Sequence, residues 1–218
     1  MDWRDPLDVY CERTDAGLWA EPLNALTNAA FVLAAADARR RMGPHAARDL
    51  RLLAALLALV GIGSFVFHTV AQRWASVLDV VFIALFVLLF IHRALVRLHG
   101  WSGARAGAAV AATIALTALL ALTVTPAALN GSQLYLGPWI ALIALALRCP
   151  QPAAAVWLRR AAALFLPSMI LRSIDLAVCD ALPMGTHFLW HANNALVLWC
   201  GMRALLAGDP PGLHSPPR

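Results

Sequence analysis

The sequence predicts an all-α protein, a seven-transmembrane helix bundle with its N-terminus outside and its C-terminus in the cytoplasm. Three observations carry that prediction. Hydrophobic residues make up 61% of the 218-residue chain and charged residues only 13%, with a mean hydropathy of +0.70. A soluble domain holds about 25% charged and 45–50% apolar residues. Seven apolar runs recur near the roughly 20-residue length that a bilayer core requires. The 17 basic residues, all arginine, gather at the ends of those runs. A net charge of +5 and a pI near 9.7 therefore do not indicate nucleic-acid binding, because the arginines form no basic face.

The runs centre on 22–40, 50–71, 75–98, 105–125, 133–148, 156–178 and 186–206. Short polar, glycine or proline breaks separate them, such as Arg39 to Pro44 and Gln72 to Trp74. The fifth run is the shortest and ends at a pair of prolines, Pro150 and Pro152. Residues 1–207 read as one membrane domain headed by an acidic segment over 1–21, and the proline-rich 208–218 as a disordered tail. The first 21 residues lack the charged-then-apolar pattern of a cleavable signal peptide. Arginines cluster on the breaks after the first, third and fifth runs, whereas the opposite face holds only Arg4, Arg13, Arg73 and Arg172. That bias sets the orientation. Arginine without lysine, amid abundant alanine, points to a GC-rich bacterial genome and hence to an inner membrane with the site toward the periplasm.

Chemistry enters with the histidines. An unpaired imidazole in hydrocarbon costs several kcal/mol, roughly, so each needs a partner. His187 and His191 are four apart and share one helical face. His68, near the end of the second run, would complete a three-histidine set with one position left for water. Such an open set is the catalytic form of a zinc site; a structural site closes with four protein ligands. Ser64 lies one turn before His68, and Asp79 begins the third run just across a short turn. In an alternating bundle all these ends meet on the N-terminal side of the membrane. For any single histidine, helix–helix hydrogen bonding is the plainer reading; three converging with Ser64 and Asp79 favour a shared ion.

These elements together resemble the alkaline ceramidase family, part of a wider group of seven-span metal hydrolases that includes the adiponectin receptors. The resemblance rests on Ser64-x-x-x-His68, Asp79, His187-x-x-x-His191, and the N-terminal Tyr10-Cys11-Glu12 followed by Glu21-Pro22-Leu23-Asn24. It implies a zinc-dependent amidase in which His68, His187 and His191 hold Zn2+. Asp79 would then shuttle a proton to the leaving amine, and Ser64 would stabilise the oxyanion. The substrate would be a ceramide-like N-acyl lipid taken from the bilayer, or another N-acyl amine lipid if the host makes no sphingolipid. It further implies Ca2+ at Asp8, the Tyr10 carbonyl, Glu12, Asp15 and Glu21, although the spacing from Glu12 to Glu21 departs from the animal pattern. A disulfide between Cys11 and Cys179 is also implied, with Cys149 and Cys200 free. The competing class is a heptahelical receptor or sensor using the same ions structurally.

The remaining polar residues read as structural. Asn24 and Asn28, a turn apart, stitch helices together; Trp190 packs between the paired histidines; Phe82, Phe86 and Phe90 form a lipid-facing or core stripe. His45, His92, His99 and His214 read as interface or loop residues.

Overall fold

The computed structural model describes residues 2–125 and 129–208. From residue 209 onward, the tail expected to be disordered lies outside the described residues. Among these residues eight α-helices are described, in order: α1 (Pro22–Thr27), α2 (Ala29–Arg41), α3 (Arg48–Val70), α4 (Arg73–His99), α5 (Gly103–Thr123), α6 (Leu136–Arg148), α7 (Pro152–Ile174) and α8 (His187–Ala207). Among the described residues there is no strand, only one isolated bridge between Pro6 and Gln72. The expected all-α class is therefore present.

Among the described residues, four stretches are long and apolar enough to cross a membrane: Arg48–Val70, Arg73–His99, Gly103–Thr123 and Pro152–Ala177. The other three predicted spans are helical but fall short, each for a physical reason. The first is broken at Asn28, whose side-chain amide donates to the Asn24 carbonyl at 2.8 Å and so takes an acceptor from the helix ladder. The fifth is only 13 residues of α-helix, entered through a 3-10 turn over Ser132–Tyr135. The last has 21 residues but carries His187, His191, Asn193, Asn194 and Arg203, which dilute its apolar character.

Sequence neighbours pack side by side from α2 to α8, and α8 also packs on α2, closing the bundle into a ring. Its core includes Phe31, Leu57, Phe86, Leu158, Met202 and Leu205. Two glycines let α3 approach both of its neighbours. A Cβ at Gly61 would lie 2.7 Å from the Asn28 carbonyl oxygen, at the α1–α2 break. One at Gly63 would lie 2.8 Å from the Leu78 carbonyl on α4. Backbone therefore meets backbone on two faces of α3, one to two turns before His68.

The N-terminal segment lies across one end of the ring. Leu7 donates its N–H to the Ala71 carbonyl at 2.8 Å, and Arg73 donates to the Asp5 carbonyl at 3.1 Å. A disulfide then joins Cys11 to Cys179, while Cys149 and Cys200 are free, all as expected.

Candidate metal centre

Two helices deliver the histidines, and a third supports them. α3 brings His68 near its C-terminal end, and α8 brings His187 and His191 from successive turns. All three are 2% exposed or less. Their candidate ligand nitrogens lie within 4.8 Å of one another, and no other group of three such side chains occurs among the described residues. α1, the third helix, supplies a hydroxyl: Thr27 Oγ1 donates to the Leu23 carbonyl at 2.7 Å and sits 3.1 Å from His191 Nδ1. With its proton so used, Thr27 accepts from His191, which leaves the Nε2 lone pair of that ring free.

The same arrangement recurs at His68. Its Nδ1 lies 2.5 Å from Glu21 Oε2, so the proton sits on Nδ1 and Nε2 presents a lone pair. His68 Nε2 and His187 Nδ1 are buried without hydrogen-bond partners. Buried polar atoms are almost always paired, and nitrogens left bare beside each other fit a cation that no side chain supplies. Two of the three rings, His68 and His191, thus have a carboxylate or hydroxyl behind them that fixes the tautomer, the usual setting of a metal-binding imidazole.

Glu21 is itself held. Its Oε1 accepts from Arg13 Nε at 2.6 Å, and its Oε2 also accepts from the Asn24 amide at 3.1 Å. Burial works against the charge of this carboxylate. The hydrogen bonds from His68, Arg13 and Asn24 outweigh burial and hold it below the usual carboxylate range. Asn24, read from sequence as a helix stitch, thus belongs to the support of His68.

Asp175 anchors the other side. This fully buried carboxylate accepts from the backbone N–H groups of Thr186 at 2.6 Å, His187 at 2.9 Å and Cys11 at 3.1 Å. It therefore caps the N-terminus of α8, where a negative charge is favoured, and ties down the disulfide loop. Gly185, at φ 62°, makes room: a Cβ there would come within 2.1 Å of Asp175 Oδ1. Sequence reasoning missed Asp175, Arg13, Thr27 and Arg172. The available signals were an acid following an apolar run and a glycine two places before His187.

Of the other expected residues, Ser64 is buried on α3 one turn before His68, and Asp79 is half-buried on α4. Asp79 lies within electrostatic range of Tyr10, Tyr135 and Arg172. Tyr10 stacks on His187 with ring centroids 3.7 Å apart, and its hydroxyl accepts from Arg172 at 2.8 Å. Trp190 is buried against Tyr135, at 5.0 Å between centroids.

The residues expected to bind calcium do not gather as one ligand set. Asp8 and Asp15 are exposed, and Asp15 Oδ1 accepts from its own loop at Gly17. Both Glu12 oxygens accept backbone N–H groups, from Leu23 at 2.6 Å and Asn24 at 2.8 Å, which makes Glu12 a cap for α1.

The ceramidase family model matches residues 10–199, a span that holds the three histidines, Ser64, Asp79 and both bridged cysteines. The chain belongs to the ceramidase family. No curated protein matches it. Ceramidase membership implies a hydrolase of the ceramide amide bond, and the four apolar helices suit an enzyme that meets its lipid in a membrane. Within this ceramidase the buried histidine trio is the group able to bind a metal such as zinc.

Proposed function

We propose that this ceramidase is a zinc-dependent amidase that hydrolyses the N-acyl bond of ceramide-like lipids, releasing a free fatty acid and a sphingoid base. The observation that carries the reading is the buried histidine cluster with two unpartnered nitrogens, in which Glu21 fixes the His68 ring and Thr27 the His191 ring. His68, His187 and His191 would hold the ion. Zinc supplies Lewis acidity there, lowering the pKa of a water to about 7 so that a nucleophile exists at neutral pH.

The chain's own residues do the rest. Ser64 donates its hydroxyl to the oxyanion that develops as water adds to the amide carbon. Asp79 takes a proton from the attacking water and delivers it to the nitrogen as the C–N bond breaks. Glu21 and Thr27 hold their imidazoles so that the lone pairs face the ion.

An apolar cavity of about 410 Å³ opens between α4, α5 and the start of α6, lined by Val80, Ile83, Val87, Thr117 and Tyr135. A narrower one shares Ile83, Val87 and Tyr135 with it and continues inward to Phe86 and Asn194. Tyr135 thus links an apolar space suited to a hydrocarbon chain with Trp190, between the paired histidines. We place the site toward the outer, periplasmic side of a bacterial inner membrane, following the arginine bias.

The test is a purified-protein assay on a panel of N-acyl lipids with and without a zinc chelator. Chelator and His68→Ala should each abolish fatty-acid release, and Ser64→Ala should slow it about 100-fold. Release by folded His68→Ala at the parent rate would remove these residues from the reaction.

A further inference from the structure

We infer that the guanidinium of Arg13 is a built-in cation that takes the place of a divalent ion in the N-terminal segment, and that it acts through Glu21 to position His68. Arg13 is 8% exposed, and its donors take up two members of the expected calcium set, Glu21 and the Tyr10 carbonyl, together with carbonyls of the loop between them. Its Nε donates to Glu21 Oε1 at 2.6 Å, and its Nη1 donates to the Asp15 carbonyl at 3.0 Å and the Gly17 carbonyl at 3.5 Å. Its backbone N–H occupies the Tyr10 carbonyl at 3.3 Å. Both oxygens of Glu12 are spent on the first turn of α1.

Calcium needs six to eight oxygens around it at about 2.3–2.6 Å. Here the nearby carbonyls and the free side of Glu21 point at a permanent positive charge. A second cation entering this space would meet that charge and would have to displace its donors. The guanidinium fork also gives something a spherical ion does not, a directional grip on one oxygen of the carboxylate. With Oε1 held by Arg13, the other oxygen is aimed at His68 Nδ1, which fixes the proton there and bares Nε2. Arg13 is therefore a positioning residue, two links away from the ion.

The inference rests on the reading of His68 as a metal ligand, and the experiment separates the two. It uses the full chain purified in detergent, with calcium or a calcium chelator in the melting arm and cobalt as a coloured probe of the histidine site. The melting temperature of the parent is expected to be the same in excess calcium and in chelator; a rise with calcium overturns the proposal. Cobalt affinity, followed by its visible absorption, is expected to fall about 10- to 100-fold in Arg13→Gln. Arg13→Lys, which keeps the charge but not the fork, is expected to recover part of that loss. Parent-like cobalt affinity in Arg13→Gln, or no recovery in Arg13→Lys, overturns the positioning role. Should Arg13→Gln fail to fold, the parent's calcium response still decides the matter. A parent that takes up no cobalt sinks the zinc reading, which the calcium arm does not depend on.

Discussion

Asp175 is a buried carboxylate whose bonds are all to backbone. Its two oxygens accept three backbone N–H groups from two segments distant in sequence, the Cys11 loop and the start of α8. Asp175→Ala would strand those donors in a buried place, at about 1–3 kcal/mol for each unsatisfied group. A markedly lower melting temperature is the expected result, and Asp175→Asn should fall between variant and parent because the amide keeps one acceptor. The imidazole pair was legible at this scale, since a spacing of four puts His187 and His191 on one face whatever surrounds them. Glu21 was noticed for a different task. Its place in the sequence demands a carboxylate, but only the fold shows that its partners are a guanidinium, an amide and His68 rather than an ion. Asp175 went unread because a lone acid at a helix end looks the same whether it caps a buried helix or faces water.

At the scale of elements, α3 is pinned between two close approaches. An added methyl at Gly61 would meet the Asn28 carbonyl and Phe31 Cβ at 2.7 and 2.9 Å, contacts that backbone cannot relieve by side-chain rotation. Gly61→Ala should therefore destabilise by about 1–3 kcal/mol, as overpacking of a tight interior does. Gly107 on α5 has open space around it, so Gly107→Ala should leave the melting temperature unchanged or slightly raised. A thermal-shift comparison of the pair checks both; equal losses would refute the close-approach account. Helix positions followed from hydropathy, with α3, α4, α5 and α7 near their expected bounds. The break at Asn28 and the shortness of α6 did not, because side-chain capping and a 3-10 entry leave the apolar count almost untouched.

The whole molecule is a ring of helices with one end covered. The N-terminal segment pairs with the turn after α3, buries Tyr10 against His187 and is joined to the far side at Cys179. Because that link spans 168 residues of sequence, it restrains the unfolded chain strongly, and losing it should cost about 2–5 kcal/mol. Reductant should lower the melting temperature of the parent and leave that of the Cys11→Ser/Cys179→Ser double variant unmoved. A reductant-insensitive parent would mean the link is not formed. The pairing was expected from family resemblance alone; spacing could not have chosen it among four cysteines.

The split of the histidines along the chain has a consequence for how the protein is made. One comes from position 68 and two from positions 187 and 191, on α8, which leaves the ribosome long after α3. A nascent chain halted before that helix owns only one of the three clustered imidazoles, too little to form the proposed ion site. On the proposed zinc reading, competence therefore arrives only once α8 has been made and has packed against α2. Partly inserted chains would be inert toward the lipids around them, a safeguard set by gene order rather than by any inhibitor.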